Sequence, residues 1–442
     1  MPRFCDSSPS QEREATNANL PIFQGLTDPF APPHRAERKS TQLRPTINHE
    51  AHVKRALQSL TTLLLTAALG FAQDSYVAAR QSALVLEQGK NFTEAETAWQ
   101  SLAHTYPNNP EPYARIALLE ARQEHYSQAI PLYRRALDLK PDLPGLRLNL
   151  ALALFKGSQL KEAVPEFETL LKAAPADSPE AQRVTILLGM SHYGLAEYDK
   201  AAPYLKTAAD HDPQSLPLRL ALAHTYLWTR QFPKVMEVYK EILALNPDSA
   251  EADMIAGEAL DEMKDNEGST KMFRAAVKAN PKEPNAHFGL GYLLWAQKQY
   301  PEAAAEFQAE LANDPSHAQS MLYLGDTFLQ LNKAEEARPL LAHAVQLDPA
   351  LWLGSLDLGV IDSDAGRNQD ALSELETAAK LKPDEVNVHW RLGRLFRALG
   401  RKDEAKSEFD KASKLNKAAD DDLYKKINSG QQQPAQQRPD PQ

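Results

Sequence analysis

Proline recurs every 34 residues through most of the chain. It stands at Pro107, Pro141 and Pro175 and then, after one step of 38, at Pro213, Pro247, Pro281, Pro315, Pro349 and Pro383. A period of this length constrains the fold more than any other feature. A unit of 34 residues can hold a supersecondary element but cannot enclose a core of its own, so copies of it must stack. With each proline at position 32, the units are 76–109, 110–143, 144–177, 182–215, 216–249, 250–283, 284–317, 318–351, 352–385 and 386–419. Residues 178–181 (SPEA) are an insertion, and Lys417 replaces the proline in the tenth unit.

Other positions keep the same period. Position 8 is small throughout (Ala83, Ala117, Ala151, Gly189, Ala223, Gly257, Gly291, Gly325, Gly359, Gly393). Position 24 is large and apolar (Trp99, Tyr133, Phe167, Leu205, Tyr239, Phe273, Phe307, Leu341, Leu375, Phe409). Position 20 is Ala except at Val235 and Ser269. Apolar residues at 4, 7, 8 and 11 form one helical stripe, and those at 20, 24, 27 and 28 form a second. Polar residues with Gly or Asn near positions 14–17, as in Gly89-Lys90-Asn91 and Gly366-Arg367-Asn368, predict the turn between them. Small residues at 8 and 20 let the two backbones approach. The position-32 proline ends the second helix because it has no N–H to donate. Prolines at position 22 (Pro131, Pro165, Pro203, Pro339) fall early in the second helix, where a slight kink is tolerable.

The pattern resembles the tetratricopeptide repeat family over residues 76–419, with mixed usage (Tyr113, Met321, His389) where the family has Trp at position 4. The resemblance implies an all-α, right-handed superhelical solenoid of about ten helix–turn–helix hairpins. It also implies a concave groove lined by positions 2, 5, 9, 12 and 13 of each first helix. Geometry alone gives the same stripe, because these positions lie beside the buried one and a neighbouring hairpin cannot cover them all.

Read along the chain, the groove is uneven. Units 3 to 5 supply Leu148, Leu152, Phe155, Ile186, Met190, Tyr193, Leu220, His224, Leu227 and Trp228. Unit 6 supplies Glu251, Met254, Glu258, Asp261 and Glu262, and unit 7 supplies Phe288, Tyr292 and Trp295. Asp326, Asp364, Trp390, Arg394 and Arg397 follow. An apolar trough followed by an acidic belt suits a peptide with apolar anchors and basic residues. The same aromatics could instead pack hairpin against hairpin, and both readings stand at this point. The carboxylate clamp of some tetratricopeptide proteins needs Lys at position 5 and Asn at position 9. Neither occurs here, position 5 running from Arg80 and Ala114 to Trp390.

Chemistry is hard to find. The 442 residues carry a formal charge of −10 without a run of Lys and Arg, which argues against nucleic acid. Cys5 is the sole cysteine, which rules out intramolecular disulfides, Cys-ligated zinc and thiol pairs. His49 and His52 in NHEAH lack the one-turn spacing of a zinc-binding HExxH. No GxxxxGK[ST], GxGxxG or GxSxG occurs. The reading is a non-enzyme with no cofactor, no metal, no small-molecule substrate and no nucleic acid, its partners being proteins or peptides.

The ends read differently. Residues 53–72 (VKRALQSLTTLLLTAALGFA) have a basic start, an apolar centre and small residues at Gly70 and Ala72, the anatomy of an export signal cleaved before Gln73. The bland alternative is a capping helix before the first repeat. Residues 1–52 are then a disordered or mis-annotated extension, since a bacterial GTG start at Val53 gives a signal of ordinary length. Membrane contact is confined to that segment if it stays uncleaved. Residues 420–428 are expected as a short capping helix and 429–442 as a disordered tail. The expected function is an exported, periplasmic scaffold. The alternatives are a structural subunit of an envelope assembly or polysaccharide-export complex, and a cytoplasmic regulatory adaptor if the signal is not one.

Overall fold

A computed structural model describes residues 75–143 and 145–430, with side chains to residue 421. The expected extension and export signal at 1–52 and 53–72 lie outside the described residues, as does the expected tail at 429–442 apart from Ser429 and Gly430, which are helical instead. Twenty helices and no strand occur among the described residues, two helices to each 34-residue unit. The all-α class is as the periodicity predicts.

The chain divides at Phe232 into two compact units. The N-terminal unit holds α1 (75–88), α2 (Phe92–Thr105), α3 (Pro110–Arg122), α4 (Tyr126–Leu139), α5 (Leu146–Lys156), α6 (Leu160–Ala173), α7 (Pro179–Gly194), α8 (Tyr198–His211) and α9 (Leu216–Trp228). The C-terminal unit holds α10 (Phe232–Leu245), α11 (Ala250–Glu262), α12 (Asn266–Ala279), α13 (Ala286–Ala296), α14 (Tyr300–Asn313), α15 (Ala318–Gln330), α16 (Ala334–Leu347), α17 (Trp352–Asp364), α18 (Asn368–Leu381), α19 (Val386–Ala398) and α20 (Lys402–Gly430). The last helix runs unbroken through residues 420–428, where a separate short helix was expected.

Odd-numbered helices are the first helices of their repeats and even-numbered ones the second. Within a hairpin, position 8 meets position 24. A Cβ added to Gly325 or Gly359 would lie 2.6 Å from Leu341 or Leu375, and one added to Gly291 would lie 2.8 Å from Phe307. The side chains of Trp99, Tyr133, Phe167, Phe273 and Phe307 are fully buried at these crossings. The second helix ends where the period places it. The residue before the proline leaves the helical region, with ψ of 93° at Lys140, 95° at Asp314 and 96° at Asp348, because proline's ring excludes the helical conformation from its predecessor. The position-22 prolines sit inside continuous helices.

The turn carries a device the composition does not announce. Position 15 is left-handed in every repeat: Lys90, Glu124, Ser158, Ala196, Arg230, Lys264, Lys298, Asn332, Gly366 and Gly400, with φ from 56° to 78°. The following N–H then reaches back to the carbonyl of position 11, as from Glu197 to His192 at 2.9 Å, which closes the first helix in a Schellman turn.

Successive first helices approach one another more closely than successive second helices do, as in α7 with α9 and in α11, α13, α15, α17 and α19 taken pairwise. First helices therefore form the inner layer of each stack. The approach of α5 to α7 is looser, and the inserted residues 178–181 are the N-cap and first turn of α7.

Candidate protein-binding face

The inner layer is where the predicted groove positions fall, and most of them are already covered. In the N-terminal unit Leu148, Leu152, Phe155, Met190, Tyr193, His224 and Leu227 are buried, while Ile186, Leu220 and Trp228 stay partly open. Phe155 spends its ring on Phe167, 6.3 Å away edge-on. Position 5 shows how unevenly the face is covered: Leu148, Met254, Phe288, Leu322 and Leu356 are buried, Ile186 and Leu220 are partly open, and Trp390, in the last repeat, is 43% exposed.

Tyr193 on α7 and His224 and Trp228 on α9 form one bonded group. Trp228 donates from Nε1 to Nε2 of His224 at 3.1 Å, and Tyr193 Oη lies 2.6 Å from Nδ1 of the same ring. Tyr198 of α8 stacks on Trp228 at 5.3 Å. Burial pushes the His224 pKa down to about 4. The group is a rigid plate whose accessible part is the indole.

In the C-terminal unit Phe288 and Tyr292 are buried, and Trp295 is half-buried. Phe288 packs on Phe307, His317 and Tyr323, and Tyr292 meets Tyr323 edge-on at 5.2 Å. Trp295 donates from Nε1 to Oδ2 of Asp326 at 2.5 Å. Burial raises the Asp326 pKa, and the bonds from Trp295 and Gln330 oppose it. The acidic belt separates into two kinds of residue. Glu258 and Asp261 are buried, whereas Glu262 is half-buried and Glu251 is exposed. Burial raises the Asp261 pKa, Lys264 lowers it, and Glu262 raises it further.

Reading the stripe 2, 5, 9, 12 and 13 missed position 6. There Asp357 on α17 is 7% exposed; burial and the charge of Asp326 push its pKa up, and Arg391 lowers it. The signal for it was in the repeat. Position 6 carries Arg115, Asn149, Asp357 and Arg391, polar residues inside an otherwise apolar stripe.

On the other side, a cavity of about 680 Å³ lies between α6, the end of α7 and α8. Lys161, Glu168, His192, Glu197 and Tyr204 are among its lining residues. No group of three or more metal-ligating side chains occurs among the described residues, and no helix there is long and apolar enough to cross a membrane.

Two family models match, both described as tetratricopeptide repeat. One covers residues 120–185 and 194–259, the other 262–317, 295–351 and 356–420, and together they span more than half of the chain. Among curated proteins, the chain is 24% identical over 274 residues to Protein CTR9 homolog of Arabidopsis thaliana, covering 60% of this chain and 25% of that one. It is 23% identical over 269 residues to DnaJ protein P58IPK homolog A of Oryza sativa subsp. japonica, covering 55% and 56%. The chain thus spans between a quarter and a little over half the length of these relatives. Among solved structures it resembles YrrB, described as a TPR protein with an unusual peptide-binding site. That match has 19% identity and a TM-score of 0.35, and covers 40% of this chain and 91% of the other.

Proposed function

Because the chain belongs to the tetratricopeptide repeat family, we propose that it is a non-catalytic scaffold that binds peptide segments or partner proteins on the inner layer of its first helices. The observation that carries this reading is the set of large side chains left partly open there, Ile186, Leu220, Trp228 and Trp295, on helices whose other apolar residues are nearly all covered. Rigid, half-open aromatic and aliphatic groups are what an interface anchor needs, since they cost little entropy to immobilise.

The test is a substitution that spares the core. Ile186→Glu with Leu220→Glu places charges on the open surface without replacing any member of the Tyr193–His224–Trp228 group. Partner recovery from cells producing the protein should fall at least tenfold while the helical signal is kept. Undiminished recovery by a folded variant rejects the inner layer as the binding face.

The working place we propose is the periplasm, on the strength of residues 53–72. Mass spectrometry of the protein made from its own gene should find a mature chain that begins at Gln73. A chain that begins at Met1 favours the cytoplasmic adaptor instead. A structural subunit of an envelope assembly would be recovered in one fixed complex, and a scaffold with several partners.

A further inference from the structure

At the groove positions of the C-terminal unit, cations occur on the last first helix alone. Positions 9 and 12 of the preceding first helices hold Glu258 and Asp261, Tyr292 and Trp295, Asp326 and Leu329, and Val360 and Ser363. On α19 the same positions hold Arg394 and Arg397, and position 5 holds Trp390. At intervals of four and three residues, these three side chains share one side of the helix. All three are exposed, Trp390 to 43%.

Both arginines are held in place, and neither is neutralised. The Arg394 guanidinium lies 4.9 Å from the ring centre of Trp390, and that of Arg397 lies 5.6 Å from the ring centre of Phe409 on α20. Among the described residues neither pairs with a carboxylate, whereas Arg401, one turn on, is paired with Glu404. A guanidinium over a ring engages it through its face and keeps the N–H donors of its edge for an acceptor. The rings also remove part of the freedom that an arginine otherwise loses on binding. The chain has 59 acidic and 49 basic residues, so two exposed, unpaired guanidiniums one turn apart stand out as a place for an anion from outside.

We propose that Trp390, Arg394 and Arg397 receive an extended acidic stretch of a bound polypeptide, with one carboxylate on each guanidinium and an apolar side chain on Trp390. The proposal rests on the reading of the inner layer as the partner-binding face and adds to it the charge pattern of one partner segment. Spacing sets that pattern. Along the helix axis Trp390 and Arg394 are roughly 6 Å apart, and Arg394 and Arg397 roughly 4.5 Å. In an extended chain every second side chain points the same way, at intervals of about 6.6 Å. The matching segment is therefore apolar–x–acidic–x–acidic, the long arginine side chains covering the difference. A peptide fits better than nucleic acid. Glu251, Glu262 and Asp364 lie on the same layer and repel a polyanion, and two arginines neutralise only two phosphates.

The experiment selects binders to the full chain from a displayed library of 16-residue peptides, with counter-selection on Arg394→Glu with Arg397→Glu. Both side chains are exposed, and a melting curve checks that the variant keeps its fold. Arg394→Gln with Arg397→Gln, which adds no negative charge, takes its place if the reversal unfolds the chain. The peptides that survive should carry two acidic residues separated by one, beside an apolar residue. Glutamine in place of both acids should weaken binding by about tenfold or more, an effect that shrinks as NaCl is raised. Trp390→Ala should weaken the acidic peptide as well. Peptides that protect first helices from hydrogen exchange but ignore the glutamine replacement overturn the acidic docking site and leave the binding face standing. A selection that yields no peptide discriminating native from variant has the same meaning. Acid-dependent peptides whose footprint lies on second helices overturn both. A 20-nucleotide single strand that binds the native chain more tightly than any selected peptide, and fails to bind the variant, gives the face to nucleic acid instead.

Discussion

Trp228 donates its indole N–H to Nε2 of His224 across 3.1 Å, so the neutral ring carries its proton on Nδ1, toward the hydroxyl of Tyr193 at 2.6 Å. A histidine that accepts at one nitrogen cannot be doubly protonated without breaking that bond. Bonding and burial therefore act in the same direction, and burial holds the pKa at about 4. The sign follows from linkage. The unfolded histidine takes up its proton near pH 6.5 and the folded one only near 4, so stability is full above about 6.5 and falls as the pH drops between the two. The loss is on the order of 3 kcal/mol. Urea unfolding from pH 7.5 to 4 should show it, and His224→Gln should flatten that part of the profile. Nitrogen chemical shifts of His224 should report a proton on Nδ1 at neutral pH.

The left-handed position 15 gives a second prediction. Ala196 holds φ at 56° on the surface, a conformation that costs an L-residue about 1 kcal/mol or more and glycine nothing. Ala196→Gly should stabilise the protein by roughly 0.5–1 kcal/mol even after the greater freedom of glycine in the unfolded chain is counted. The denaturation midpoint is the measurement, and hydrogen exchange should locate the gain in α7 and α8.

Two glycines separate space from conformation. A Cβ on Gly289 would lie 2.2 Å from Cε1 of Phe273, a ring with no exposed surface into which to retreat. Gly289→Ala should cost about 1–3 kcal/mol or more by overpacking. Gly366 has φ of 75° and nothing within 4 Å, so Gly366→Ala should cost only the backbone term, about 1 kcal/mol. Equal penalties in thermal or chemical denaturation would contradict this division.

Ser269 occupies position 20, where most repeats carry alanine. Its hydroxyl is fully buried with no hydrogen-bond partner. Ser269→Ala should therefore stabilise the protein by about 1 kcal/mol, because an unsatisfied polar group is removed at almost no loss of volume. A destabilised variant would mean that the hydroxyl finds a partner in solution.

What was legible in the sequence was whatever repeats. The spacing of the prolines and the small residues at positions 8 and 20 predict the helix count, the helix ends and the close approach of the two helices of a hairpin, seen where Gly325 meets Leu341. The left-handed turn was hidden because only Gly366 and Gly400 advertise it, while Ala196 and Arg230 adopt it under the pull of the Schellman bonds. The binding surface was less legible for a different reason. Periodicity says which side of a helix a residue occupies, but the next helix decides how much of it stays open. Phe288 and Trp390 share position 5, yet one is 1% and the other 43% exposed. Asp357 went unseen because the charges that act on it, Asp326 and Arg391, come from neighbouring repeats.

The measurement that goes most directly to the central claim is the hydrogen-exchange footprint of a selected 16-residue peptide on the full chain. Slowed exchange confined to first helices, such as α7 and α9 or α13, α15 and α17, is the predicted result. Protection of α6 and α8, around the cavity lined by Lys161 and Tyr204, with the first helices unchanged, would contradict the account and move the binding site to the opposite side of the stack.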